Sequence, residues 1–161
     1  MSVSISLEIS NLEALNAFKS RIAKLVHLNE DELLTVVGAL GESQTRRRIE
    51  TEKTAPDGSA WPKNSEGTSI LRQTGQNLLD SIAFNVRGKT AEWGASWEFA
   101  HVHQNGAVIL PKTKKALSFM IGGKRISAKK VTIPARPFVG LSPANGNEIE
   151  RVVSDFLGSL V

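Results

Sequence analysis

One segment near the C-terminus reads Ile133-Pro134-Ala135-Arg136-Pro137-Phe138-Val139-Gly140-Leu141-Ser142. Prolines fix φ at about −65° and bias the residue before them toward extended backbone, so we predict a stiff strap (residues 133–142) that loses little entropy on docking. We expect Phe138 and Leu141 to enter the core and Arg136 to point outward or across a subunit boundary, where its guanidinium can pair with a carboxylate. A salt bridge within the chain is an equally good interpretation of Arg136 and contributes only about 0–1 kcal/mol. The predicted structural joints of the strap are Pro134, Pro137 and Phe138.

Two earlier segments also combine apolar residues with residues that constrain the backbone. Residues 71–82 predict a short helix with its leucines and Ile82 on one face, a cap at Thr74 and a joint at Gly75. Residues 97–104 predict a second short helix, and Asn105-Gly106 suits a left-handed cap, so Gly106 is a further joint. For His103 and Gln104 the residues alone leave a loop contact and a subunit contact open.

These segments, in this order and with Gly58, Trp61 and Pro62 ahead of them, resemble the phage virion morphogenesis family, the tail completion proteins of Mu-like contractile-tailed phages. The resemblance runs from about residue 45 to the C-terminus. It implies a structural virion protein of the tail or neck, made in the host bacterial cytoplasm from a phage or prophage genome. The implied role is tail completion and head–tail joining, and the implied signature at positions 103, 104 and 106 suggests a subunit contact.

The implied partners are further copies of the chain in a ring, the tail tube or tail terminator, and the head–neck proteins. Non-specific contact with phage DNA is a further expectation. The early acid-rich helix and the basic stretch from 112 to 136 are candidates for the two opposing faces of a ring subunit, because head-to-tail closure needs two different surfaces.

Length and composition favour one domain, residues 1–161, with an ordinary core. The chain contains no cysteine, which excludes disulfides and thiolate sites. Residues 1–9 lack the pattern of a signal peptide, and no apolar run reaches the roughly 20 residues that cross a bilayer, so we expect no membrane partner.

Hydrophobic periodicity predicts an α+β fold, a small antiparallel sheet packed with several helices and long protruding loops. We expect a strand at 3–9, a helix from 12 to about 27 that packs on the sheet, and a helix from Asn29 to Glu52 whose second half leaves the core as a charged arm. The remaining predicted elements are a long loop at 54–69, a hairpin around Gly88, a basic arm at 111–131 and a final helix from Asn147.

Charge is unevenly distributed along a chain of net charge +4, because no acid lies between Glu98 and Glu148. A one-sign stretch faces an anionic partner, an acidic protein surface or solvent. The alternative function is therefore a non-catalytic DNA-binding module. The candidate interface or DNA-facing residues of the whole chain are Arg46, Arg47, Trp61, His103, Gln104, Lys112, Lys114, Lys115, Lys124, Arg125, Lys129, Lys130 and Arg136.

Three of these candidates have competing local interpretations. Consecutive helical residues point about 100° apart, so Arg46 and Arg47 do not form one patch with Arg48, and we expect one or two of them to pair with Glu42, Glu50 or Glu52. Trp61 either anchors its loop to the body or enters a neighbouring subunit.

No catalytic arrangement is apparent in the sequence. His101 and His103 have no third ligand except Glu98 nearby, and on a helix their side chains diverge by about 200°. Neither a nucleophile elbow nor a phosphate-binding loop is present. We therefore expect no enzymatic activity, no metal and no cofactor.

Overall fold

The computed structural model describes residues 12–64, 70–71 and 75–160, and the strand predicted at 3–9 lies outside them. The fold is α+β, as predicted, and the described residues form five α-helices and three two-stranded antiparallel ribbons. The helices are α1 (Leu12–Val26), α2 (Glu30–Arg47), α3 (Gly75–Asp80), α4 (Ala100–Asn105) and α5 (Pro143–Ser159). The strands are β1 (Ile82–Arg87), β2 (Thr90–Ala95), β3 (Ala107–Ile109), β4 (Leu117–Ile121), β5 (Lys124–Ala128) and β6 (Val131–Ile133).

Helix α2 is the element around which the fold is built. Its N-terminus is capped by Asn29, whose side chain accepts from the amide of Glu32 at 3.3 Å. The β1–β2 hairpin packs across its middle, where a Cβ on Gly38 would meet the ring of Phe84 at 2.5 Å and a Cβ on Gly41 would meet the ring of Trp93 at 2.4 Å. Glycine is thus needed at these two positions for the hairpin to approach the helix.

The second half of α2 enters the core, so the predicted charged arm was wrong. A π-helical segment, Arg48–Glu52, continues the helix, and Gln44, Thr45, Arg48 and Ile49 are all buried. Ile49 packs in a cluster with Trp61, Leu78, Ile82 and Phe138. The physical reason is that polar residues here find hydrogen-bond partners inside the protein, which composition alone does not reveal.

Helix α1 forms where predicted, but the expected packing of its apolar stripe on the sheet was wrong. Phe18 is 59% exposed and Val26 is 73% exposed. Ile22 and Leu25, on the same stripe, are exposed too.

The β4–β5 hairpin lies within the predicted basic arm. Its strands pair Ile121 with Lys124 across Gly122 and Gly123, whose φ values are 54° and 76°. Two positive φ values in a row define a two-residue turn that matches strand twist and that glycine adopts without strain. β3 and β6 form the base of the arm.

The final helix begins four residues earlier than predicted. Ser142 caps α5 through the amide of Asn145, and the Asn145 side chain returns a bond to the amide of Ser142, with Pro143 as the first helical residue. Proline is favoured at that position because its missing N–H has no intrahelical partner to lose. Leu141, predicted to be in the core, is 53% exposed, whereas Phe138 is 1% exposed as expected.

Candidate functional site

The strap is held by the loop that contains Trp61. The indole Nε1 donates to Pro137 O at 3.1 Å, and Trp61 is 4% exposed, so this ring anchors its loop to the body of its own chain. In return, Arg136 Nε donates to Pro62 O at 3.0 Å and Arg136 Nη2 donates to Lys63 O at 3.3 Å. These hydrogen bonds join the loop to the strap.

Arg136 points inward, in contrast to the expected outward or boundary position. Its residue exposure is 6%, its acceptors are carbonyl oxygens rather than a carboxylate, and burial lowers the pKa of its guanidinium. Both earlier interpretations assumed a charged partner. A guanidinium donates equally well to several carbonyl oxygens, and the loop backbone at Pro62 and Lys63 supplies them.

Gln104 holds the other side of the strap. Its Oε1 accepts from the amides of Phe138 and Val139 at 3.0 and 3.1 Å, and its Nε2 donates to Val139 O at 3.0 Å. The carbonyl of His103 accepts from the amide of Arg136 at 2.7 Å. An amide side chain here satisfies main-chain groups of an irregular segment that has no strand partner.

Gly106 allows the strap to approach α4 closely. Its φ is 73°, and a Cβ at this position would lie 2.8 Å from Ala135 N and 2.9 Å from Ile133 O. Glycine is thus needed at position 106 for two reasons, the positive φ and the lack of space for a Cβ atom. Of the other predicted joints, Pro134 and Pro137 are half-buried, and Gly75 is the first residue of α3.

Arg48 connects α2 to the strap and to α5. Its Nη1 donates to Phe138 O at 3.0 Å and Gly140 O at 2.8 Å, and its Nη2 donates to Asn145 Oδ1. Arg48 is 1% exposed, and its Nε lies 3.9 Å from Glu52 Oε2. Desolvation lowers the pKa of this arginine. We refer to Arg48 and these three acceptors as the Arg48 centre.

Sequence reasoning missed the Arg48 centre because Arg48 was treated as part of a charged run. A signal existed: Gly38, Gly41, Thr45 and Arg48 are spaced by three or four residues, so they share one helix face with the small residues that approach the hairpin.

The neighbouring arginines lie nearer the surface and are paired. Arg46 Nε lies 2.9 Å from Glu42 Oε1, and Arg47 contacts Glu52 Oε1 at 2.9 Å and Glu148 Oε2 at 3.0 Å. These hydrogen bonds raise the pKa of Arg47, mainly through Glu148 and then Glu52, and the bond from Arg47 lowers the pKa of Glu148. The expected pairing with helical neighbours is present for both.

The two histidines do not face a common point. His101 is exposed, whereas His103 is half-buried and stacks on Trp97 with ring centroids 5.7 Å apart and an interplanar angle of 16°. Burial, with a smaller contribution from Arg136, lowers the pKa of His103. Within residues 12–64, 70–71 and 75–160, no group of three or more potential ligands is arranged around a metal position.

The basic side chains of the arm all reach solvent. The exposed cations are Lys112, Lys114, Lys115, Lys124, Arg125, Lys129 and Lys130. The structure thus divides the predicted contact residues into a buried group around the strap and an exposed group on the arm. Contact with a second subunit or with DNA stays a prediction for both groups.

A family model described as the phage virion morphogenesis family matches residues 10–158. The chain belongs to this family. A relative described as "Mu-like prophage FluMu G protein 2", from Haemophilus influenzae, is 25% identical over 159 residues, which cover 98% of this chain and 99% of that protein. No solved structure matches the chain.

Membership of the phage virion morphogenesis family supports a structural role in building the phage particle. It suggests a non-catalytic protein associated with the virion. Across the described part of the chain, no helix has both the length and the apolar character needed to span a bilayer.

Proposed function

We propose that this protein completes the phage tail and joins it to the head, as a ring of identical subunits at the head-proximal end of the tail. The observation that carries the proposal is that the motif residues contact one another within the subunit. Trp61 and Gln104 bond to the strap, Gly106 leaves room for it, and Arg136 of the strap bonds back to the loop, all within one chain. The surfaces left for assembly lie elsewhere.

Those remaining surfaces differ from one another in charge and polarity, which favours head-to-tail contact. The arm presents seven exposed cations, while exposed acids lie at the start of α2 and on β2, at Glu30, Asp31, Glu32 and Glu92. A ring forms when two different complementary surfaces of one subunit meet in successive copies and the rotation closes. The mechanical result is a collar of fixed diameter that ends tube growth and presents one face to the filled head.

The test is a phage or prophage that lacks this gene, examined by negative-stain electron microscopy after induction. We expect tails of abnormal length, or heads and tails left apart, and recovery of normal particles when the wild-type gene is supplied in trans. Normal infectious particles from the deletion strain, together with absence of the protein from purified virions, would exclude the proposal.

The second candidate function is a DNA-binding module, favoured by the seven exposed cations of the arm. Neutralising Z phosphate contacts makes the logarithm of affinity fall with the logarithm of salt at a slope of about 0.9Z. We expect Lys112, Lys114 and Lys115, replaced together by Gln, to reduce that slope on duplex DNA and to shorten retention on heparin. The matched control replaces Lys19, Arg21 and Lys24 of α1, which are also exposed. Equal effects of both triple variants would mean that binding follows net charge and not the arm.

A further inference from the structure

The two outer edges of the β1–β2 hairpin differ in how they are protected. Ser96 N donates to Ser81 O at 3.0 Å, which makes residues 81 and 96 a hydrogen-bonded pair at the start of the ladder. Hydrogen-bonded and non-hydrogen-bonded pairs alternate in antiparallel ribbons. With the observed register, the pairs 82/95, 84/93 and 86/91 therefore direct their main-chain groups away from each other, toward the two outer edges.

The outer edge of β1 is closed by two side chains of α2. Arg46 Nη2 donates to Ile82 O at 2.7 Å, and the amide of Phe84 donates to Glu42 Oε2 at 3.2 Å. Arg46 and Glu42 also bond to each other at 2.9 Å. This ion pair occupies the donor and acceptor positions that an added strand would use, so β1 is blocked against pairing.

Among the described residues, none protects the outer edge of β2 in this way. In the described part of the chain, no side chain or strand bonds to the edge-facing main chain of Ala91, Trp93 or Ala95. An unpaired strand edge is a template for strand addition by another chain. Glu92, in the middle of this strand, is exposed.

The arm offers a strand that suits this edge. In β5 the first four of five residues are exposed, and the strand carries Lys124 and Arg125. The two-residue turn makes 121/124 a hydrogen-bonded pair, so the main chain of Arg125 and Ser127 faces the free outer edge of β5. Opposite charges on facing strands stabilise pairing.

We propose that β5 of a second copy adds antiparallel to the outer edge of β2. Arg125 and Ser127 then bond to the edge-facing main chain of β2, and the residue opposite Glu92 is Lys124 or Ile126, with the Lys124 cation on the Glu92 face. The proposal rests on the proposed ring, because it names the contact between successive subunits. The outer edge of β1 is blocked and that of β2 is free among the described residues, so each hairpin can bind the arm of one neighbouring subunit. Its own arm then binds the hairpin of a second neighbour, and such a head-to-tail arrangement can close into a ring.

The first experiment uses single cysteines in a chain that has none of its own. A Glu92→Cys chain is mixed with a Lys124→Cys chain, or with an Ile126→Cys chain, and oxidised. Neighbouring strands lie about 4.8 Å apart and a disulfide needs Cα atoms within about 7 Å, so we expect mixed disulfides, identified by peptide mass. The matched control is Asn85→Cys. Asn85 lies on β1 opposite Glu92 of β2, so it would be two strand spacings, about 10 Å, from the added strand. Efficient linking of Asn85→Cys instead of Glu92→Cys would overturn the proposal.

The second experiment reverses one charge on β2 and one on β5 without changing the main-chain hydrogen bonds. Glu92→Arg and Lys124→Glu should each weaken self-association about tenfold in sedimentation velocity, and the double variant should recover to within about threefold of the wild type. Circular dichroism checks that each variant is folded.

The outcomes separate this contact from the ring itself. A stable oligomer that gives no Glu92 cross-link and no recovery in the double variant overturns the β2–β5 contact and leaves the ring standing. A monodisperse monomer at every concentration overturns both.

Discussion

At the scale of single residues, the buried cation of Arg48 makes directional hydrogen bonds that apolar side chains cannot make. Arg48 lies between α2, the strap and α5, and its two terminal nitrogens donate to two main-chain carbonyls and one side-chain amide oxygen. Hydrogen bonds have direction, so they fix the angle at which the strap crosses the helix, whereas hydrophobic contact does not.

Replacement of Arg48 by Met should therefore be costly although the volume is nearly kept. Buried acceptors left without donors cost about 1–3 kcal/mol each, so we expect the free energy of unfolding to fall by about 2–4 kcal/mol. Urea denaturation measures this loss. The matched control is Arg47→Met, which removes exposed ion pairs and should cost about 1 kcal/mol or less. Equal losses in the two variants would refute a special role for the Arg48 centre.

His103 makes the stability of the protein depend on pH. Burial lowers its pKa in the folded chain from the ordinary value of about 6.5, so below that pH the unfolded chain binds more protons than the folded one. Stability contributed by neutral His103 is complete above about pH 6.5 and is lost as the pH falls toward the lowered folded pKa.

The prediction is a steeper fall in melting temperature between pH 7 and pH 5 for the wild type than for His103→Gln. His101→Gln, at the exposed neighbour, should keep the wild-type profile. The prediction fails if the His103→Gln and wild-type profiles run parallel across this range.

At the scale of elements, the sequence predicts structure that depends on neighbouring residues but not structure that depends on contacts between distant ones. The start of α2 near Asn29 and the β1–β2 hairpin follow from residues close in sequence, and both are present. The inward course of α2 depends on acceptors in the strap, 90 or more residues later. The start of α5 was missed because Pro143-Ala144-Asn145-Gly146 was interpreted as loop, although proline after a serine cap favours a helix start.

The same distinction applies to the candidate site. The sequence predicted that Pro134, Pro137 and Gly106 constrain the backbone, since those effects are local. It did not predict that Arg136 bonds to main chain within the subunit, and it left a loop contact of Gln104 as one of two alternatives. Main-chain carbonyl and amide groups are present at every position and therefore leave no pattern in a sequence.

Two glycine substitutions in helices should have opposite signs. Gly41→Ala places a methyl group against the ring of Trp93, and overpacking of this kind costs about 1–3 kcal/mol, even though alanine favours helices. Gly146→Ala, in α5, meets nothing within 4 Å and should raise the free energy of unfolding by about 0.5–1 kcal/mol. Chemical denaturation of both variants checks this, and stabilisation by Gly41→Ala would contradict the close helix–hairpin approach.

At the scale of the whole molecule, the core residues and the surfaces proposed for assembly lie in different places. The core lies where α2, the strap and the β1–β2 hairpin meet, while α1 and the basic arm carry exposed side chains. Surface changes should therefore leave folding intact.

The double variant Phe18→Ser/Val26→Ser tests this separation. Both side chains are more than half exposed, so we expect the free energy of unfolding to stay within about 0.5 kcal/mol of the wild type. Phe138→Ala, at a position that is 1% exposed, should lose about 3–5 kcal/mol in the same assay. A large loss from the α1 variant would show that its apolar stripe packs within the subunit.

The long sequence separation at the Arg48 centre has a consequence during synthesis. The acceptors of Arg48 are residues 138, 140 and 145, so a nascent chain stopped before the strap has the cation of this centre without the groups that satisfy it. Such truncated products should remain open to cellular proteases, since unsatisfied buried charge favours the unfolded state. We therefore expect resistance to proteolysis only in chains that have been translated into the last helix.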